Sequence, residues 1–258
     1  MPSDLDVLVR FNARGLRELS APLHSQLLQF FSVQQSAPAF FDALLLSDTI
    51  WLGLRPSFSL RKVDYVVLLE GDFRGLELSP TGDEWGPPQA LAAGILRYDR
   101  PQAQRRSQLA RMYALDSHRL LFASAAEVDA VGRVVEQGEA NPREEPVARG
   151  LVSFVLRTQP WAQLLGERSS AVGPLLEGAT SLRGSLSFSA NGFNWTARLR
   201  FLEKERAAST AHASAVFFGA MAARWPEGPQ VEVEAVGAEV VLRGFVSLER
   251  VTAWLNVR

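Results

Sequence analysis

The sequence predicts an α+β protein made of two similar half-domains, each a mainly antiparallel sheet covered by helices. Three observations carry this. Residues 107–136 and residues 230–255 share one order: strand, polar turn, strand, short amphipathic helix. A repeat of this length marks related half-domains rather than solenoid units. Elsewhere, apolar residues alternate at period two between tight-turn signals, which favours antiparallel pairing. Stretches of helical period interleave with those strands, in a chain of 258 residues that is 47% hydrophobic. That is enough apolar content for a sizeable core.

Asp4–Asn12 alternates around Leu5, Val7, Val9 and Phe11 and reads as a strand. Ala13–Val33 changes period, with Leu16, Leu19, Leu23, Leu27, Phe30 and Phe31 on one helical stripe and Pro22 as a break or new first turn. Ala37–Leu46 is a second apolar helix. Thr49–Arg55 and Val63–Gly71 read as paired strands across the polar loop Pro56–Lys62. Residues 74–106 are irregular, with a short helix at Pro87–Ala93 and a short strand at Ile95–Tyr98. Arg111–Leu115 and Arg119–Ser124 form a hairpin around Asp116-Ser117-His118. A helix follows at Ala126–Glu136, with Val128, Val131, Val134 and Val135 on one face.

Glu139–Arg149 holds two prolines and five charges and reads as a linker. The predicted units are therefore 1–138, with an insertion at 74–106, and 150–258. Gly150–Arg157 is a strand and Pro160–Leu176 a helix. Leu182–Ser189 and Phe193–Phe201 alternate across Asn191-Gly192, a pair that supplies positive φ for a tight turn. Ser209 or Thr210 caps a helix running to Trp225. Phe217, Phe218, Gly219, Ala220, Met221 and Ala223 make that helix apolar nearly all round, so it is expected to be buried on more than one side. Gln230–Ala235 and Glu239–Val246 form a last hairpin turning at Gly237, and Leu248–Asn256 closes as a helix.

Composition excludes several function classes. A net charge of −1 argues against a nucleic-acid surface spanning the protein. The absence of cysteine removes disulfides, thiolate zinc sites, iron–sulfur clusters and a cysteine nucleophile. Of 27 basic residues only Lys62 and Lys204 are lysines, leaving 25 arginines. With abundant Ala, Gly and Leu, this is the mark of a GC-rich genome. No apolar run reaches the roughly 20 residues of a membrane helix. Met-Pro-Ser-Asp-Leu-Asp at the start lacks the regions of a signal peptide. The expected location is the cell envelope or periplasm where a leader has been removed, and the cytoplasm otherwise.

No motif carries chemistry. His24, His118 and His212 fall in no paired-ligand spacing. Asp116-Ser117-His118 has the residue types of a hydrolase triad, but triad members arrive from separate elements, and Asp and Ser favour turns. Gly71-Asp72-Phe73-Arg74-Gly75 lacks the lysine of a phosphate loop. Asn194-Trp195-Thr196 is an incidental glycosylation sequon in a tight hairpin. No cofactor or metal is expected. Residues 78–106 interrupt the repeated plan and hold Trp85, Arg97, Tyr98, Arg100, Arg105 and Arg106, beside the acidic Asp83, Glu84 and Asp99. These residue types are enriched where proteins bind partners. The segment is expected to project from the first half and contact another protein; the bland alternative is a passive insertion.

The Leu5–Phe11 strand, the Val66–Gly71 strand and the Leu115–Ser124 hairpin with its Ala/Val helix resemble predicted secreted lipoproteins of unknown function from GC-rich Gram-negative bacteria. The Ala-rich helix of the second half and its final Val-Gly-Ala-Glu-Val-Val-Leu-Arg hairpin are similar to the same group. The resemblance implies an envelope location and no known activity. The functional expectation is a non-catalytic binding or scaffolding protein of the cell envelope. Two alternatives stay open: a hydrolase using His118 with a carboxylate from another element, and a carrier of an apolar ligand held between the half-domains.

Overall fold

The computed structural model describes residues 1–2, 4–19, 38–56, 63–76, 85–101, 108–139, 150–159, 173–224 and 230–250. The predicted linker beyond Glu139, His24, Arg105, Arg106, Asp83 and Glu84 lie outside the described residues, as does most of the helix expected at Pro160–Leu176. The chain divides into two compact units, Met1–Glu144 and Glu145–Arg258. Both are mixtures of helix and antiparallel sheet.

Unit 1 runs β1 (Val7–Asn12), α1 (Ala13–Leu19), α2 (Pro38–Leu46), β2 (Ser47–Pro56), β3 (Val63–Gly71), β4 (Gln89–Ala90), β5 (Leu96–Asp99), β6 (Leu109–Asp116), β7 (Arg119–Ser124) and α3 (Val128–Glu136). Its strands lie in the order β1-β2-β3-β7-β6-β5-β4. Alternation sends Ile50, Leu52, Tyr65, Val67, Leu69, Met112, Leu120 and Phe122 to one face, where Phe40, Ala43 and Leu44 of α2 cover them. Phe40 meets Phe122 edge-on, with ring centroids 5.0 Å apart. The other face presents Val66, Leu68, Tyr113, Leu121 and Ala123 to Val131 and Val135 of α3. A sheet covered on both faces needs apolar residues at consecutive positions, and Val66-Val67-Leu68-Leu69 and Leu120-Leu121-Phe122-Ala123 supply them.

The predicted helix at Pro87–Ala93 does not form. Pro88 biases the residue before it toward extended backbone, and the chain pairs as β4 before a single 3₁₀ turn at Ala92–Gly94. Ala93 and Gly94 both take positive φ there, 58° and 76°, which no continuing helix tolerates. The described part of 74–106 is therefore not irregular: it adds β4 and β5 to the edge of the sheet.

Unit 2 runs β8 (Val152–Arg157), α4 (Gly173–Leu176), β9 (Ala179–Ser189), β10 (Gly192–Phe201), α5 (Lys204–Arg224), β11 (Val231–Val236) and β12 (Glu239–Ser247). The strand order is β11-β12-β10-β9-β8. Leu182, Leu199, Phe201, Val233, Val240 and Leu242 point to one face and pack on Ala207 and Ala211 of α5. The β9–β10 turn is Ala190-Asn191, one residue earlier than expected, since Gly192 already pairs with Ser189. The final hairpin turns at Gly237, with φ 62°.

Taken separately, the units share a neighbour order. In unit 1 it is β1-β2-β3-β7-β6, and in unit 2 it is β8-β9-β10-β12-β11. In each, the second strand of the last hairpin inserts beside the third strand and leaves the first strand of that hairpin outside.

Candidate functional site

Of the residues expected to form a contact surface in unit 1, Trp85 and Tyr98 lie in a core instead. Trp85 is 6% exposed and Tyr98 is 5% exposed, and both belong to the α2-side cluster. The Trp85 indole lies edge-on to Phe122, centroids 6.5 Å apart. Burying rings of this size is worth more to the fold than displaying them. Strand alternation sends Arg97 to the opposite face from Tyr98, where it joins a polar network with α3. Arg97 Nη1 lies 3.2 Å from Glu136 Oε1, and Arg111 Nε lies 2.6 Å from Asp99 Oδ1. The Tyr113 hydroxyl donates to Glu136 Oε1 at 2.6 Å. Burial, aided by this carboxylate, pushes the Tyr113 phenol up to about 12. The Tyr113 hydrogen bond, with Arg97 beside it, holds the Glu136 carboxyl below its ordinary range. These contacts pin α3 to β5 and β6 and leave Arg97 committed within the fold. Arg100 sits at the end of β5, its backbone N–H bonded to Ala110.

His118 stands exposed at the β6–β7 turn. Its Nδ1 lies 3.0 Å from the Gly71 carbonyl, and its backbone N–H donates to Asp116 Oδ1 at 2.8 Å. Arg119 holds the Asp116 carboxyl below the usual carboxylate range. A shallow cleft of about 470 Å³ borders the ring, lined by Asp48, Glu70, Gly71, Asp72, His118 and Arg119. Its charges are matched internally: Asp48 by Arg17, Asp72 by Arg74 and Arg119 by Asp116, while Glu70 accepts from the Trp51 indole. Among the described residues, no hydroxyl bonds the His118 ring. The Asp-Ser-His run acts as a turn, as Asp and Ser favour. Among those same residues, no group of three or more His, Asp or Glu could hold a metal ion.

The feature that sequence reasoning misjudged is α5. The helix begins at Lys204 rather than at Ser209 or Thr210, because Lys-Glu-Arg-Ala-Ala is itself good helix sequence. Thr210 and Ser214 lie on the sheet-facing side with Ala207 and Ala211. From Ala215 to Ala223 no side chain is polar. Met221, seven residues beyond Ser214, continues the same stripe, since seven residues are about two turns. Yet Ser214 is buried and Met221 is 40% exposed. Phe217 and Phe218 are half-buried, and Val216, on the outer side, is 60% exposed. The expectation that this segment is enclosed is therefore corrected: the sheet covers the first half of the stripe and releases the second. An apolar composition could not distinguish burial in this chain from burial against something else. No described helix is long and apolar enough to cross a membrane.

No family model and no curated protein matches the chain. Solved structures of TP0453, a Treponema protein, do. Its crystal form I superposes with a TM-score of 0.55 at 11% identity, covering 97% of this chain and 92% of that one. Form IV gives 0.57 at 13%, covering 98% and 93%, and form III gives 0.55 at 12%, covering 98% and 94%. At these identities the likeness is one of fold.

Proposed function

We propose that this chain is a non-catalytic binding protein of the cell envelope that holds another protein against the C-terminal half of α5. The exposed apolar stretch Ala215–Ala223 carries the reading. Leaving Val216, Met221 and parts of two phenylalanines in water costs hydration free energy that a partner surface would recover. Exposed Gly219, Ala220, Ala222 and Ala223 add little bulk, so a partner helix can approach the backbone closely. Supporting a non-catalytic role, the charged groups around His118 are matched to one another. The envelope location rests on the resemblance to secreted lipoproteins and is tested by fractionating cells that express the gene with its native upstream sequence.

The two units derive, in this reading, from duplication of one five-stranded half-domain. The shared neighbour order supports it, as does the hairpin-then-helix ending in unit 1, which Leu248–Arg250 begins to repeat after β12. Superposing β1-β2-β3-β7-β6 on β8-β9-β10-β12-β11 tests the descent; failure of the terminal hairpins to coincide counts against it.

A photo-crosslinking residue placed at Val216, with one at Arg200 on β10 as control, tests the binding role. The expected result is one protein adduct of discrete mass from position 216 and none from position 200. Equal, diffuse labelling from both positions would remove the proposal.

A further inference from the structure

β11 is the outermost strand of the unit 2 sheet. Val231–Val236 pairs with β12 along one side, and among the described residues no strand pairs with the other. Alternate backbone N–H and C=O groups therefore point outward, a template for a further strand. Such edges are commonly blunted by proline, lysine, a bulge or short length. β11 uses none of these: it reads Val-Glu-Val-Glu-Ala-Val, its register with β12 is unbroken, and six residues is an ordinary strand length. Its two faces differ. Val231, Val233 and Ala235 lie on the side that carries α5, where Val233 packs with Ala207 and Ala211. Glu232 and Glu234 lie exposed on the opposite face. One arginine serves both: Arg243 Nη1 stands 3.0 Å from Glu234 Oε2, and Arg243 is opposite Glu232 in register. The helix sits at the same border, over β11, β12 and β10. Its sheet-facing stripe ends on Met221, 40% exposed, beside the edge that has no further strand to cover it.

We propose that β11 accepts an added strand from the partner protein, one in which basic residues alternate with apolar ones. The proposal rests on the reading that another protein docks against the C-terminal half of α5, and it names the segment that docks. A strand standing about 4.8 Å beyond β11 takes up the outward backbone groups. Its apolar residues extend the floor beneath α5 towards Met221, and its basic residues stand opposite Glu232 and Glu234. Opposite charges across a strand pair are favourable, and like charges are not. The same rule disfavours a second copy of β11. In an antiparallel pair, every register that overlaps most of the two strands sets Glu232 or Glu234 opposite another glutamate.

Fluorescence anisotropy of the full chain with a labelled Lys-Val-Lys-Val-Lys-Val peptide tests the edge. This peptide is expected to bind at least about tenfold more tightly than Glu-Val-Glu-Val-Glu-Val. Glu232→Lys combined with Glu234→Lys reverses that order, and a gain for the glutamate peptide cannot come from a variant that fails to fold. Met221→Gln weakens the lysine peptide about threefold, through lost apolar cover. Methylating the backbone nitrogens of its lysines, or instead those of its valines, blocks opposite edges of the added strand. One set is expected to weaken binding about tenfold or more and the other to leave it nearly unchanged. Equal binding of the two peptides to the parent, or equal loss from both methylated sets, overturns the proposal. A crosslinker at Val216 that still yields its discrete adduct in that case shows that docking on α5 stands and only the added strand is lost.

Discussion

Gly192 meets a steric requirement that no other residue can. A Cβ built there would stand 2.3 Å from the Val246 carbonyl oxygen and 2.7 Å from the Phe245 ring. Its φ is not positive, so the glycine serves the approach of β12 and not the turn. Gly192→Ala is expected to destabilise the protein by about 1–3 kcal/mol through overpacking, read from urea unfolding. Gly219, exposed in the interior of α5, has no atom within 4 Å of such a Cβ. Gly219→Ala should move the other way, stabilising by about 0.5–1 kcal/mol. The sequence announced a glycine in a hairpin; only the third strand, β12, reveals why. Arg55 and Glu127 were invisible to pattern reading for the same reason. They are 72 residues apart, yet Arg55 Nε donates to the buried Glu127 carboxylate at 2.8 Å. Arg55→Ala leaves that carboxylate buried without its cation and is expected to cost about 3 kcal/mol.

Among the elements, α3 and α5 divide the kinds of information a sequence holds. The four valines of α3 predicted its inner face, and Val131 and Val135 do pack on the sheet. Its anchor, the Glu136–Tyr113–Arg97 cluster, depends on the strand at Leu96–Asp99, which the sequence placed at Ile95–Tyr98 without showing that it pairs with β6. Since folding lowers the Glu136 pKa, the stability this group contributes is fully present above its unfolded value and is lost as pH falls through the folded one. Urea midpoints of the parent and Glu136→Gln should therefore differ most near neutral pH and converge in acid. A constant gap across pH would mean that the carboxylate charge plays no part. In α5, the buried Ser214 hydroxyl lacks a partner. Ser214→Ala should be neutral or stabilising by up to about 1 kcal/mol, because it removes an unsatisfied group at little loss of volume.

At the scale of the whole molecule, the α+β class and the pairs β2–β3, β6–β7, β9–β10 and β11–β12 were legible because alternation and turn residues are local, whereas pairs such as β3–β7 and β10–β12 join strands distant in sequence and were not. Which apolar surface stays open was not, because it depends on how far a sheet extends beneath a helix. Charge and apolar exposure together make a further expectation. The sequence pI is about 6.3 and the net charge at pH 7 is −1, so long-range repulsion between copies is weak near neutrality. A protein that also exposes Val216 and Met221 should self-associate most readily near its pI. Light scattering of the parent is expected to rise as pH approaches that value from above. Val216→Asn combined with Met221→Gln keeps the net charge unchanged while making the helix end polar. Scattering near the pI should then fall markedly, with the unfolding midpoint nearly unmoved, since exposed side chains contribute little to stability. If the doubly substituted chain scatters as strongly as its parent, the contact between copies lies elsewhere, and the end of α5 is not the adhesive surface that its exposure implies.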